Sequence, residues 1–125
     1  MIGAYNDYAT RVDLSSNELE RCSNGLTPGS AAVFACIRVN SRSLRDLLAN
    51  FDQAIAAIKF PDDVKADLRR LGEADNRLGS LYETLAGAGS PPSPAVRAAL
   101  LELAQGGADQ KTAVENLARD LRAKR

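Results

Sequence analysis

Residues 22–60 decide the fold, and they read CSNGLTPGSAAVFACIRVNSRSLRDLLANFDQAIAAIKF. The strongest apolar side chains of this stretch recur at helical spacing: Val33, Ile37, Leu44, Leu47, Phe51, Ala54 and Ile58. Asn, Gly and Pro residues precede this pattern and are typical of a turn. An apolar face of this length needs other helices to bury it. The stretch therefore predicts a helical hairpin on which the rest of the chain packs.

The two cysteines flank the turn of this hairpin. Cys22 lies one helical turn from Leu19, and Cys36 lies one turn from Val33, so each thiol sits at the edge of an apolar face. Closing a loop of this size stabilises a fold by roughly 3 kcal/mol in the chain-entropy model. The chain has no Cys-x-x-Cys spacing and no His to lower a thiol pKa. We predict a structural disulfide, with two buried free thiols or a redox switch as the alternatives.

The composition indicates a single all-α domain, residues 1–125. Apolar residues make up 45% of the chain and aromatic residues only 5%, so aliphatic side chains must build the core. Alanine and leucine dominate, and both favour helix. No run of alternating apolar and polar residues indicates a strand.

Charge and residue usage argue against several functions. The 16 basic residues balance the 16 acidic ones, which is untypical of a nucleic-acid-binding protein. The absence of His from the sequence removes the commonest general base and the commonest metal ligand. We therefore predict a protein that is not an enzyme and has no cofactor. No apolar segment reaches the eighteen or so residues of a membrane span.

Four carboxylates are candidates for a metal-binding cluster: Asp67, Asp75, Glu83 and Glu102. Bundles that hold two metal ions use Glu-x-x-His motifs, which this chain lacks. Calcium loops place acids at alternating positions around a glycine, and no such loop occurs. We predict no metal site.

The first two helices have clear limits in the sequence. We predict one helix from Ile2 to about Arg21, with a break near Leu14 as the alternative. The second helix begins near Ser30, a candidate N-cap. It ends at Phe60, because a proline disfavours helix at the residue before it.

The third and fourth helices complete the pattern. The third opens at residues 61–63 and presents the core face Val64, Leu68, Leu71, Ala74, Leu78, Leu81 and Leu85. The fourth begins around Pro94 and keeps its register through Gly106 and Gly107, so we favour one helix over two short ones. Net charge alternates in sign from each segment to the next, which favours sequence neighbours as spatial neighbours. We predict an antiparallel up-down-up-down four-helix bundle with a disulfide-pinned hairpin of helices 1 and 2.

Three arginines of the second helix form a basic stripe, Arg38, Arg42 and Arg45. Such a stripe can receive a phosphate or an acidic partner. We favour the alternative, a solvated face that pairs with acids of the first helix such as Glu18 or Asp7.

A candidate pocket involves five side chains. Tyr5, Tyr8 and Phe51 fall at the same end of an antiparallel hairpin, where they would line a small apolar pocket or simply form core. Asn40 lies on the apolar face of the second helix and needs a hydrogen-bond partner there. Antiparallel pairing with the third helix places it near Tyr82.

The order of these features resembles a known class of proteins. Tyr5, Tyr8, Asn17 and Leu19 of the first helix are followed by a mid-chain Cys and by Leu-x-x-Leu-Leu in the second helix. A third helix that begins with Pro and an Ala-rich fourth helix come after. This arrangement resembles the α-helical domain of small secreted proteins and lipoproteins of actinobacteria. The resemblance covers nearly the whole chain and implies an exported, membrane-anchored or cell-wall module without catalytic residues.

These observations predict a non-enzymatic interaction or structural module with a protein or cell-envelope partner. An extracytoplasmic location follows from the cysteine pair, because structural disulfides persist outside the reducing cytosol. One alternative is a bundle that binds a small apolar or lipid-like ligand between its helices. Another is a cytoplasmic helical partner protein with reduced thiols.

Overall fold

The computed structural model describes residues 1–123, and they form an antiparallel up-down-up-down four-helix bundle, as predicted. The helices are α1 (Ile2–Ser23), α2 (Ala31–Ala56), α3 (Lys65–Leu85) and α4 (Pro94–Ala123), with a 3₁₀ turn (Asp62–Val64) before α3. The last two residues of the predicted domain, Lys124 and Arg125, lie outside the described part. Across residues 1–123, none of the helices combines the length and the apolar character that crossing a membrane requires.

The first helix is continuous through its weak middle. Ser15 is only 5% exposed, and its side chain is used in packing against α2. The Ser16 hydroxyl donates to the carbonyl of Val12, one turn earlier, at 3.1 Å. Both serines thus find partners inside the bundle or on their own helix, and the break considered near Leu14 does not occur.

The predicted start of α2 is confirmed and its predicted end is wrong. The Ser30 side chain caps the helix by accepting from the backbone N–H of Val33 at 3.3 Å. The helix ends at Ala56, four residues before Phe60. Pro61 only sets the last position at which the helix could end. The chain leaves the helix earlier because Phe60 turns back to pack against the core.

The buried faces differ in part from the apolar stripes that the sequence displays. On α2, Phe34 and Leu48 are buried while Ala54 is exposed, since α2 packs between α1 and α3. On α4, Ala99 is buried at 3% exposure while its neighbour Leu100 is 41% exposed. The most deeply buried large side chains come from the 3₁₀ turn, α3 and α4: Val64, Leu78, Leu85, Val114 and Leu117.

The fourth helix runs unbroken through its glycine pair, as predicted. A Cβ at Gly106 would lie 3.1 Å from Cδ1 of Leu81 and 3.3 Å from Cδ1 of Leu78. Gly106 therefore lets α4 approach α3 closely. A Cβ at Gly107 would meet nothing within 4 Å, so its neighbours do not require a glycine.

The α1–α2 hairpin is closed by the predicted disulfide. Cys22 and Cys36 are bonded with an Sγ–Sγ distance of 2.03 Å and a Cα–Cα distance of 5.9 Å. The turn between the helices uses Gly25 and Gly29, each with a φ of 77°. This left-handed conformation is strained for residues that carry a Cβ. Turn chemistry and disulfide together hold the end of α1 against the first turns of α2.

Candidate functional site

The basic stripe is largely engaged in packing between α2 and the elements that follow it. The Arg38 guanidinium donates to the carbonyl of Ala88 at 2.6 Å, and Arg45 donates to Glu83 at 3.1 Å. Arg42 is exposed. The predicted pairing with acids of α1 is therefore wrong for Arg38 and Arg45, because their side of α2 faces α3 and the segment after it.

The aromatic part of the predicted pocket is a packed cluster. The rings of Tyr8 and Phe51 stack with centroids 5.1 Å apart, and Tyr5 meets Phe51 edge-on at 5.9 Å. A cavity of about 260 Å³ lies beside Tyr8 and Phe51. The ion pair of Asp7 and Arg11 also lines it, so this cavity is not the apolar pocket that the aromatic residues indicated.

Asn40 does not join this cluster. Its amide donates to the carbonyl and to the hydroxyl of Ser15, both at 2.8 Å, so it faces α1 and not Tyr82. Asn40 lines a separate groove of about 240 Å³ beside the disulfide. Tyr82 instead lies beside Tyr8. The five residues of the predicted pocket are thus divided between two places.

A network of polar side chains joins all four helices behind the aromatic cluster. Gln110 of α4 donates to Oδ1 of Asp75 on α3 at 2.9 Å, and Tyr8 of α1 lies close to this amide. Asp52 of α2 lies beside Asp75, and Tyr82 lies beside Tyr8. Gln110 and Asp75 are only 3% and 4% exposed. A glutamine on the apolar face of α4 was the sequence signal for this network, but nothing in the sequence pointed to Asp52.

The four acids considered as a metal cluster lie apart. Asp67 is buried and hydrogen-bonds with Asp120 of α4, whereas Asp75 belongs to the network. Glu83 pairs with an arginine of α2, and Glu102 is exposed. Within residues 1–123, no three His, Cys, Asp or Glu side chains are placed to hold a metal ion together.

The carboxyl of Asp75 holds its proton unusually tightly. Burial, reinforced by the hydrogen bond with Asp52, raises the pKa of Asp75 to about 8, while the bond from Gln110 opposes the shift. Two carboxyl groups can hydrogen-bond with each other only if one of them keeps a proton. Burial also raises the pKa values of Tyr8 and Tyr82, so both hydroxyls are neutral at physiological pH.

The stability of the protein is expected to fall as the pH rises from about 4 to about 8. An ordinary aspartate in the unfolded chain releases its proton near pH 4, whereas Asp75 in the folded state releases it near pH 8. In this window the folded state binds more protons, so its stability is complete at the acid end and is lost towards pH 8. Urea denaturation at a series of pH values measures this slope.

Asp75→Asn is the matched control for this dependence. The asparagine imitates the neutral acid, so the slope should become shallower without the fold being lost. The raised pKa of Asp67 leaves a residual slope of the same sign. Equal slopes in the two proteins would contradict the assignment of the proton to Asp75.

An apolar groove adjoins the carboxyl pair between α2 and α3. Its volume is about 450 Å³. Asp52 and Asp75 line one end of it, because the two helices run antiparallel and bring these positions together. Large apolar side chains line the rest: Ile55, Ile58, Phe60, Leu68 and Leu71. The helix α2 ends at Ala56, and the residues after it line the groove together with α3. The prediction of a longer α2 therefore gave no indication of a groove here.

Comparison with protein-family models, with curated proteins and with solved structures found no match for this chain. Its function is therefore inferred from the placement of these side chains. The features that carry most information are the disulfide, the buried polar network and the groove that adjoins it.

Proposed function

We propose that the protein is a non-enzymatic binding module of an oxidising, extracytoplasmic compartment, and that the α2–α3 groove holds a small, largely apolar ligand. The groove carries this proposal. Its volume of about 450 Å³ lies within the range of roughly 300–1,000 Å³ that is typical of small-molecule sites. Its lining is mainly apolar with a few polar groups at one end, which is also typical of such sites.

The partial exposure of the apolar side chains that line the groove supports the proposal that a ligand binds there. Ile55, Ile58, Phe60 and Leu68 are each only partly buried, although all but Ile58 pack against the core. Covering apolar surface of this kind favours association by about 25 cal/mol per Å². The basic stripe is the weaker candidate, because Arg38 already makes a hydrogen bond within the bundle.

The disulfide supports the proposal of an oxidising, extracytoplasmic compartment. It joins α1 to α2 across the turn, and no cysteine of the chain is left free. Structural disulfides of this kind form and persist in secreted and envelope proteins, and they are rare in the cytosol.

Filling the groove should weaken ligand binding without harming the fold. Gly72 lines the groove in the interior of α3, and a Cβ there would meet nothing within 4 Å. Gly72→Leu should therefore place a side chain in the groove. It should also stabilise the helix by up to about 1 kcal/mol, because glycine is a poor helix former. We expect binding of n-octanol, followed by NMR titration, to weaken about tenfold or more.

Gly107→Leu is the matched control. Gly107 lies within α4, has open space around its Cβ position and does not line the groove. This variant should bind n-octanol as the unmodified protein does. If Gly72→Leu also bound it unchanged, the groove would not be the ligand site.

A further inference from the structure

The polar end of the groove is acidic, because Asp52 and Asp75 both line it. Arg45 borders the same two carboxyl groups from a neighbouring groove, where its guanidinium pairs with Asp46 and Glu83. From the other elements, the groups that act on Asp75 are Gln110 of α4 and, more weakly, the tyrosines Tyr5, Tyr8 and Tyr82. Within residues 1–123, no lysine or arginine is among the side chains that act on Asp75.

We propose that the ligand of the α2–α3 groove is an amphipathic cation, a primary ammonium group on an aliphatic body, whose head group lies between Asp52 and Asp75. This inference rests on the proposed function and names the chemical class of the ligand. The complementarity of charge at one end and of apolar surface along the rest of the groove supports it.

The two parts of the groove match the two parts of such a ligand. An ammonium group has three N–H donors and no acceptor, so it can bridge two carboxylates that face each other. From the carboxyl pair, the apolar wall continues through Ile55 and Leu71 to Phe60 at the far end, where an aliphatic chain would lie. The amide of Gln110 continues to donate to Asp75 and holds it in place.

A bare metal ion fits this place less well. Calcium takes six to eight oxygen ligands and magnesium demands a near-octahedral set. The groove offers two carboxyl groups and the amide of Asn76, beside a wall of apolar side chains that give an ion no ligands. An organic cation can pack its aliphatic part against these apolar side chains, whereas a metal ion gains nothing from them.

Binding by this exchange releases a proton. The ammonium group enters with its own proton count unchanged, and the proton that Asp75 holds in the free protein passes to the solvent. Affinity should therefore rise about tenfold for each pH unit while the pair is protonated, and then level off. Tyr8 and Tyr82 stay neutral throughout this range, so they do not mask the effect.

Matched alkyl probes test the inference. n-Octylammonium, n-octanol and n-octanoate share one aliphatic chain and differ in the charge of the head group. We expect the ammonium probe to bind about tenfold or more tightly than octanol in calorimetric titrations, with octanoate the weakest. Titration in two buffers that differ in ionisation enthalpy should show close to one proton released for each ammonium bound below pH 8.

Two carboxyl variants test whether Asp52 and Asp75 cause the preference for the ammonium probe. Asp75→Asn should abolish the preference for ammonium and leave octanol binding unchanged, because the apolar wall is intact. Asp52→Asn should do the same, and this variant should keep the fold because Asp52 is exposed. Asp67→Asn is the control, since Asp67 is also buried beside another carboxyl group but does not line the groove. It should leave all three affinities unchanged.

The outcomes separate the inference from the function on which it rests. Equal affinity for octylammonium and octanol would overturn the cationic ligand while leaving an apolar binding site in place. A preference for ammonium that survives both Asp52→Asn and Asp75→Asn would overturn the assignment to this carboxyl pair. Failure of both probes to bind would overturn the proposed function together with the inference.

Discussion

Leu78→Ala is expected to lower the free energy of unfolding by about 2–5 kcal/mol. Leu78 is 1% exposed and packs where α3 crosses α4 at Gly106. Truncation removes the apolar contacts of the side chain and leaves a cavity that rigid helices fill only in part. Urea denaturation followed by circular dichroism measures the loss. Leu101→Ala is the control, because Leu101 is 85% exposed, and it should change stability by less than about 0.5 kcal/mol.

Gly106→Ala, in a double-mutant cycle with Leu78→Ala, tests whether contact with Gly106 explains the loss. In the unmodified protein the new methyl group would crowd Leu78 and Leu81, and this crowding offsets the better helix propensity of alanine. After Leu78→Ala the crowding from Leu78 is gone and the methyl group partly fills the cavity. Gly106→Ala should therefore be more favourable in the Leu78→Ala background, whereas additive effects would show that the two positions are not coupled.

Removing the disulfide is expected to cost roughly 3 kcal/mol, because the bonded cysteines are 14 residues apart in sequence and a loop of about 15 residues gains that much from closure. The variant for this test combines Cys22→Ser at the exposed position with Cys36→Ala at the buried one. Alanine avoids burying an unsatisfied hydroxyl at position 36. Denaturation without reductant gives the difference between the two proteins.

Reductant provides the control for this experiment. It should destabilise the unmodified protein by a similar amount and leave the double variant unchanged. A loss below about 1 kcal/mol would mean that the disulfide contributes little beyond the contacts of the hairpin itself. A loss of the expected size would be a large part of the roughly 5–15 kcal/mol that stabilises a typical domain, and would favour a compartment in which thiols are oxidised.

Features that depend on neighbouring residues along the chain could be predicted. The cap at Ser30, the turn glycines and the spacing of apolar residues are local patterns, and the structure agrees with the helices that they indicated. The cysteine pair could be predicted because the hairpin turn between them limits where their thiols can lie. The unbroken fourth helix followed from a register that continued through Gly106 and Gly107.

Features that depend on which helix faces meet could not be predicted. Asn40 stood out as a polar residue on an apolar face, yet nothing in the sequence named Ser15 as its partner or Asp75 as the partner of Gln110. A polar residue in a core position shows that a partner is needed. The rotation and register of the packed helices then decide which side chain supplies it.

By itself, the sequence of this protein determined four helices, their order and the bond that closes the first hairpin, because each depends on spacing along one segment or across one turn. Only the tertiary structure decided that α2 stops at Ala56, that Asp52 meets Asp75, and that a groove opens beside them. The physical reason is the same for all three. Packing of side chains from different helices, summed over the whole core, outweighs the local preferences that a sequence displays.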